Sequence, residues 1–145
     1  MPVLGRLMLE LGYETSAVEL QRRIELLLAH SDHYLRVAVD EDDNVLGGVH
    51  ASLQFELTVG AFVEIEALIV TRDARRSGVG VELVRGVEGW AAQRGIYSIR
   101  VRSQVHRDGA AAFYRRLGYT ATKQQTVFVR ETSELRPTGP VTLQD

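Results

Sequence analysis

The sequence has no cysteine, which removes disulfides, thiolate catalysis and cysteine-ligated zinc in one step. It has no apolar run of 18 residues, the minimum for a membrane-spanning helix. Its start, Met-Pro-Val-Leu-Gly-Arg, lacks the basic and apolar regions of a secretory signal. Bulk charge of one sign is also missing: 17 Lys+Arg against 19 Asp+Glu give a formal net charge of -2. Such a balance makes no field able to hold nucleic acid or an anionic membrane, so any anion site must be local. The expectation is a cytoplasmic chain with no nucleic-acid or membrane partner.

What is present suits one globular domain. The chain has 145 residues, 45% hydrophobic and 25% charged, ordinary values for a packed core and too few residues for two large domains. We expect a domain over 1–130 and a loose tail over 131–145, where Pro137, Gly139 and Pro140 fall.

Apolar spacing predicts a short helix over 3–11, stopped by Gly12, and a second helix after Thr15 or Ser16 to about His30. The buried side of the second would hold Val18, Leu20, Ile24, Leu27 and Leu28. Strands follow at 34–39, 45–58 and 61–71. The run Asp40-Glu41-Asp42-Asp43-Asn44 reads as a solvated hairpin tip and Gly60 as the next turn. A helix over 78–94, a strand over 96–102, a helix over 107–117 and a closing strand over 124–130 complete the order. The result is an α/β fold with three antiparallel strands and one βαβ crossover. No metal is expected. His30 and His33 read as structural residues at a helix end, and His106 as a loop residue.

The most informative stretch is strand 61–71 followed by Arg75-Arg76-Ser77-Gly78-Val79-Gly80 and a helix. Two glycines in a first helical turn cost about 1 kcal/mol each relative to alanine. Close approach of a ligand to the backbone would repay that cost, because free N–H groups and the positive end of the helix dipole suit a pyrophosphate. The bland alternative is a glycine-rich turn. A dinucleotide fingerprint fails because Leu83 stands at the third glycine position, and a Walker A loop fails for want of its lysine.

These residues resemble the GNAT acetyltransferases, whose pattern [QR]-x-x-G-x-[GA] is matched by Arg75 to Gly80. A second family signature, A-x-x-F-Y-x-x-x-G-[FY], is matched position for position by Ala110 to Tyr119. The resemblance covers about residues 6–130. Gln54-Phe55, Glu64-Ile65-Glu66, Arg107-Asp108 and Phe113-Tyr114 look similar to small-amine acetyltransferases of the aminoalkylphosphonate type. The fold implied is a mostly antiparallel mixed sheet with a splayed parallel central pair and flanking helices. Two departures stand out. The family opens with a strand before its first helix, whereas this chain starts almost inside that helix, so the first strand is expected to be missing. Arg107 stands where the family often has asparagine.

The resemblance implies acetyl-CoA as co-substrate, its pantetheine bonded to the backbone of Leu68, Ile69 and Val70. Its pyrophosphate would rest on Arg75, Arg76, Ser77, Gly78, Val79 and Gly80, with Arg107 and Phe113 as further cofactor contacts. Alternation along the strand predicts Glu64, Glu66, Leu68 and Val70 on one face and Ile65, Ala67 and Ile69 on the other. The two carboxylates are candidate bases, Glu64 first because it lies where several family members place theirs. Tyr114 matches the family's thiolate-protonating tyrosine. The expected reaction is acetyl transfer to a small-molecule primary amine by direct attack, with His50, Gln54 and Glu56 as candidate acceptor contacts. The alternatives are a non-catalytic acyl-CoA-binding module and a purely structural domain. A sheet lacking its first strand exposes an edge, so a homodimer is expected.

Overall fold

In a computed structural model of the chain the described residues are 16–102 and 109–133. They belong to two compact units, residues 1–104 and 105–145. The expected helix over 3–11, the question of a preceding strand, Arg107 and the tail from 134 onward lie outside the described residues.

The first unit opens with α1 (Ala17–Leu28), begun by Ser16, whose hydroxyl accepts the Glu19 N–H at 3.1 Å. A cap of this kind is worth about 1 kcal/mol. Leu20 and Ile24, one turn apart, form its buried stripe and meet Ile69, with Leu35 and Val45 packed around them. Val18 and Leu28, expected on that stripe, are exposed; Val18, only two residues before Leu20, points to another side of the helix.

Strands β1 (His33–Val39), β2 (Val45–Glu56) and β3 (Gly60–Val70) run antiparallel in sequence order. The acidic turn between β1 and β2 is a hairpin tip, as its composition predicts. The Asp40 carboxylate accepts the Asp42 and Asn44 N–H groups, both at 2.9 Å. The bonds from Asn44, first of all, hold the Asp40 carboxyl below its ordinary range. Gly60, with φ +84°, makes the β2–β3 turn, a conformation that few other residues adopt without strain.

A short 3₁₀ turn (Arg72–Ala74) and α2 (Val79–Gln93) then carry the chain to β4 (Ile99–Val101), which pairs with β3 in parallel. Sheet order is β1-β2-β3-β4. The pairing register divides side chains between two faces. One holds Leu35, His50, Ser52, Glu64 and Ile69 and receives α1. The other holds Val49, Ala51, Val63 and Ile65 and receives α2, whose Leu83, Val84, Val87 and Ala91 are buried. Tyr34 and Trp90, with ring centroids 5.5 Å apart, tie β1 to α2. Each large aliphatic side chain buried this way contributes about 1.5–3 kcal/mol.

The second unit holds α3 (Ala110–Arg116), bounded by Gly109 at φ +82° and Gly118 at φ +96°. The expected closing strand over 124–130 is not formed among the described residues. Val127, Phe128 and Val129 are all exposed there, and an alternating apolar sequence becomes a strand only when a neighbour takes its N–H and C=O groups.

Candidate active site

The site is built around one irregularity in β3. Ala51 is opposite Ile65 and His50 opposite Ala67, which leaves Glu66 with no partner on β2. This is a β-bulge, and it resets the alternation of the strand. Glu64, Ala67 and Ile69 therefore share a face, while Leu68 and Val70 fall on the opposite face with Ile65. The sequence expectation that Leu68 and Val70 stand on the Glu64 face is corrected accordingly; a strict period of two cannot survive an extra residue.

Glu66 still reaches its neighbour's side. Its Oε1 accepts a hydrogen bond from Ser52 Oγ at 2.7 Å and a longer one from Gln54 Nε2 at 3.4 Å, and Ser52 sits opposite Glu64 in the register. The two carboxylates are neighbours through the bulge and not through regular alternation, and they stand in unlike settings. Glu66 is exposed, whereas Glu64 is only 6% exposed. The Arg102 Nε lies 2.9 Å from Glu64 Oε1, yet this oxygen has no hydrogen-bond partner. The contact is an ion pair formed off the N–H direction. Arg102 itself is two-thirds exposed, so its charge is well screened. Burial, and then the charge of Glu66, push the Glu64 carboxyl above its ordinary range, with Arg102 opposing them. A carboxylate so raised is a better proton acceptor near neutral pH.

Beside the pair, His50 Nε2 and His33 Nδ1 are 3.0 Å apart and their rings stack with centroids at 5.2 Å. Burial, then the nearby His33, hold His50 below the usual histidine range, while Glu66 pulls the other way. His33 lies in β1, not at a helix end, because the strand begins one residue earlier than its apolar pattern suggests. Gln54 donates to Ser52 Oγ at 2.8 Å, so this candidate acceptor contact also braces the site. Glu56 stands 3.8 Å from Arg100, whose guanidinium covers the Phe62 ring at 4.1 Å. Among the described residues no group of three or more His, Cys, Asp and Glu side chains is arranged to hold a metal ion.

Strands β3 and β4 pair only over Val63–Ile65 and Ile99–Val101. From Ala67 to Val70, β3 is paired with β2 alone among the described residues, and an extended ligand would bond to its outer N–H and C=O groups. The strand then leads into Arg75, Arg76 and Ser77. Arg76 has φ +67° and Gly78, the N-cap of α2, has φ +89°. Ser77 closes the turn by donating its hydroxyl to the Ala74 carbonyl. A Cβ placed on Gly78 would meet no protein atom within 4 Å, so this glycine answers to backbone conformation and to open space before the helix. The first N–H groups of α2, Val79 and Gly80 included, have no intrahelical acceptor. Among the described residues Arg75 and Arg76 take part in no ion pair. This donor set suits a pyrophosphate. In the second unit, Phe113 and Tyr114 meet edge to face at 5.1 Å and Tyr114 meets Tyr119 at 5.7 Å.

Comparison with known proteins accords with this geometry. A family model described as the acetyltransferase (GNAT) family matches residues 6–119. The chain is a GNAT family member. The GNAT likeness extends to named proteins. An aminoglycoside N(6')-acetyltransferase type 1 from Klebsiella aerogenes is 30% identical over 95 residues, which are 63% of this chain and 62% of that protein. The chain thus spans about 62% of the length of that curated relative. Among solved structures, the aminoglycoside 6'-N-acetyltransferase AAC(6')-Ih from Acinetobacter baumannii superposes with a TM-score of 0.77 at 22% identity, covering 89% of this chain and 90% of that one. The AAC(6')-IG enzyme from Acinetobacter haemolyticus gives 0.73 at 24% identity, covering 82% and 84%. At these identities the likeness carries the fold: a mixed α/β GNAT sheet with an antiparallel set and one parallel pair.

Sequence reasoning missed Ser52 and Arg102. Ser52 had a signal, since counting four rungs back from the Glu56–Gly60 pair of the hairpin lands it opposite Glu64. Arg102 had none beyond lying at the end of an alternating strand.

Proposed function

We propose that the chain is an acetyl-CoA-dependent N-acetyltransferase acting on a primary amine of a small molecule, by direct attack and without a covalent enzyme intermediate. The observation that carries the reading is Glu64: a buried carboxyl, raised by burial and by Glu66, one residue before the β3–β4 pairing ends.

Acetyl-CoA, when bound, supplies a thioester whose carbonyl carbon takes the amine nitrogen and whose C–S bond breaks. Leu68, Ile69 and Val70 bind the pantetheine arm through their backbone. Arg75, Arg76, Ser77, Gly78, Val79 and Gly80 hold the pyrophosphate, and Phe113 and Arg107 complete the cofactor contacts on the strength of the family motif. A primary amine with a pKa near 10 is protonated at neutral pH and cannot attack until it loses a proton. Glu64 accepts that proton, directly or through one water. Glu66 orients the amine, with His50, Gln54 and Glu56 along the acceptor side. Tyr114 gives a proton to the leaving thiolate and is restored by the second proton that the nitrogen sheds as the amide forms, so the net proton released is the one on Glu64.

The relatives named above favour an amino sugar over an aminoalkylphosphonate as acceptor. An acceptor carrying several ammonium groups suits the exposed Glu66 carboxylate, whereas a phosphonate anion would be repelled by it. A panel of aminoglycosides, polyamines and aminoalkylphosphonates, assayed by thiol release from acetyl-CoA, tests the substrate class. For the base, Glu64→Gln is expected to lower kcat by ~10²- to 10⁴-fold at neutral pH, with the deficit shrinking as pH approaches the amine's own pKa. Acetyl-CoA affinity stays the same. Equal kcat in wild type and Glu64→Gln at every pH would remove Glu64 from the mechanism. Tyr114→Phe serves as the companion variant, with kcat lowered and acetyl-CoA affinity retained.

A further inference from the structure

We infer that Ser52 is a positioning residue for the acceptor, acting through Glu66: with Gln54 it clamps one carboxylate oxygen and leaves the other to meet the incoming amine. The inference rests on the acetyltransferase reading above and adds to it a residue that does not touch substrate.

Three observations combine. The bulge frees Glu66 from the ladder, so nothing in the backbone pairing fixes the direction of its side chain. A glutamate on an exposed strand position has three rotatable bonds, and an unrestrained carboxylate presents its oxygens in many directions. Against that freedom stands a chain of donors: Gln54 Nε2 to Ser52 Oγ at 2.8 Å, then Ser52 Oγ to Glu66 Oε1 at 2.7 Å, with the direct Gln54 contact at 3.4 Å. Ser52 is 1% exposed and lies in the middle of β2, so its own position is set by the sheet. A hydroxyl held this firmly transfers the rigidity of the sheet to the one carboxylate that the bulge has loosened. The same residue faces Glu64 across the register, so the clamp also keeps Glu66 close to the proposed base. Of the neighbouring donors, Arg102 attends Glu64, and His50 is turned to His33. Beside the Glu64 carboxyl, which also hydrogen-bonds Glu66, the donors to Glu66 among the described residues are Ser52 and Gln54.

The test is a double-mutant cycle on kcat/KM for the best amine of the panel, with acetyl-CoA saturating. Ser52→Ala removes only the hydroxyl. A hydrogen bond to a charged group is worth about 1.5–3 kcal/mol, so kcat/KM for the acceptor is expected to fall about tenfold or more, with acetyl-CoA KM unchanged. In a Glu66→Ala background the same Ser52→Ala change is expected to cost less than about twofold, because the group that Ser52 positions is gone. Ser52→Cys, similar in shape and a much weaker donor, replaces alanine if that variant does not fold. A Ser52 loss of the same size in both backgrounds overturns the inference, since it would mark a purely structural serine. The acetyltransferase reading survives that result, because it depends on the wild-type rate and on Glu64→Gln. A wild-type chain that acetylates no amine overturns both.

Discussion

At the scale of single residues, Glu64 sets function against stability. Burial and the charge of Glu66 favour its neutral form in the folded chain. Its folded-state pKa is therefore above the unfolded one, and folding is favoured where the group is protonated. That contribution is complete below the ordinary glutamate value of 4.5 and is lost as pH rises through the raised folded value. Once ionised, the carboxylate is a burden on the fold, kept because an ionised base is what the chemistry requires. Glu64→Gln is accordingly expected to raise the melting temperature at pH 7.5 while lowering kcat, and the gain is expected to vanish by about pH 4. Calorimetric scans of both proteins at the two pH values check this; a variant that melts lower than wild type at pH 7.5 would mean that the Arg102 ion pair outweighs burial. Ser52 belongs to the same scale: its place opposite Glu64 could be counted from the hairpin turn, but its role could not, because a serine in a strand carries no motif. Its role emerges only from register and from a bond that crosses β2 to β3.

At the scale of elements, the turn before α2 is the feature that sequence reading placed best. Gly78 at φ +89° and Arg76 at φ +67° set the backbone so that it ends in the first N–H groups of the helix. Replacing Gly78 with valine puts a β-branched side chain into a left-handed conformation and into the open space before the helix. Acetyl-CoA affinity by titration calorimetry is expected to fall at least about tenfold, roughly 1.4 kcal/mol; unchanged affinity would move the pyrophosphate elsewhere. Element order from α1 to α3 was legible because helix and strand periods differ and because Ser16, Gly60 and Gly78 mark boundaries. The bulge was not. Nothing in Glu64-Ile65-Glu66-Ala67-Leu68 distinguishes a regular strand from one with an extra residue, so alternation assigned Leu68 and Ile69 to the wrong sides. The run over 124–130 failed for the opposite reason: its pattern reads as a strand, but a pattern cannot supply the neighbour that a strand needs.

At the scale of the whole molecule, association follows from the sheet's edges. Among the described residues β1 pairs with β2 alone, and its outer backbone groups face no other strand. Val37 and Val39 on this strand are exposed. Edges of this kind are commonly covered by a second chain, and we expect a homodimer. Sedimentation velocity at roughly tens of micromolar protein distinguishes the states, and a single monomeric boundary would count against the dimer. The bulge at Glu66 has a bearing on how such a chain can change over time. The bulge takes Glu66 out of the ladder and so leaves Ile69 on the face where Leu20 and Ile24 meet it. Deleting Glu66 would regularise the ladder and leave Ile69 under α1, because Ala67 already pairs with His50 and Ile69 with Gly48. The irregularity therefore carries the carboxylate of the site without taking part in the packing of the first helix. A more regular sheet is one deletion away, and what that deletion removes is Glu66.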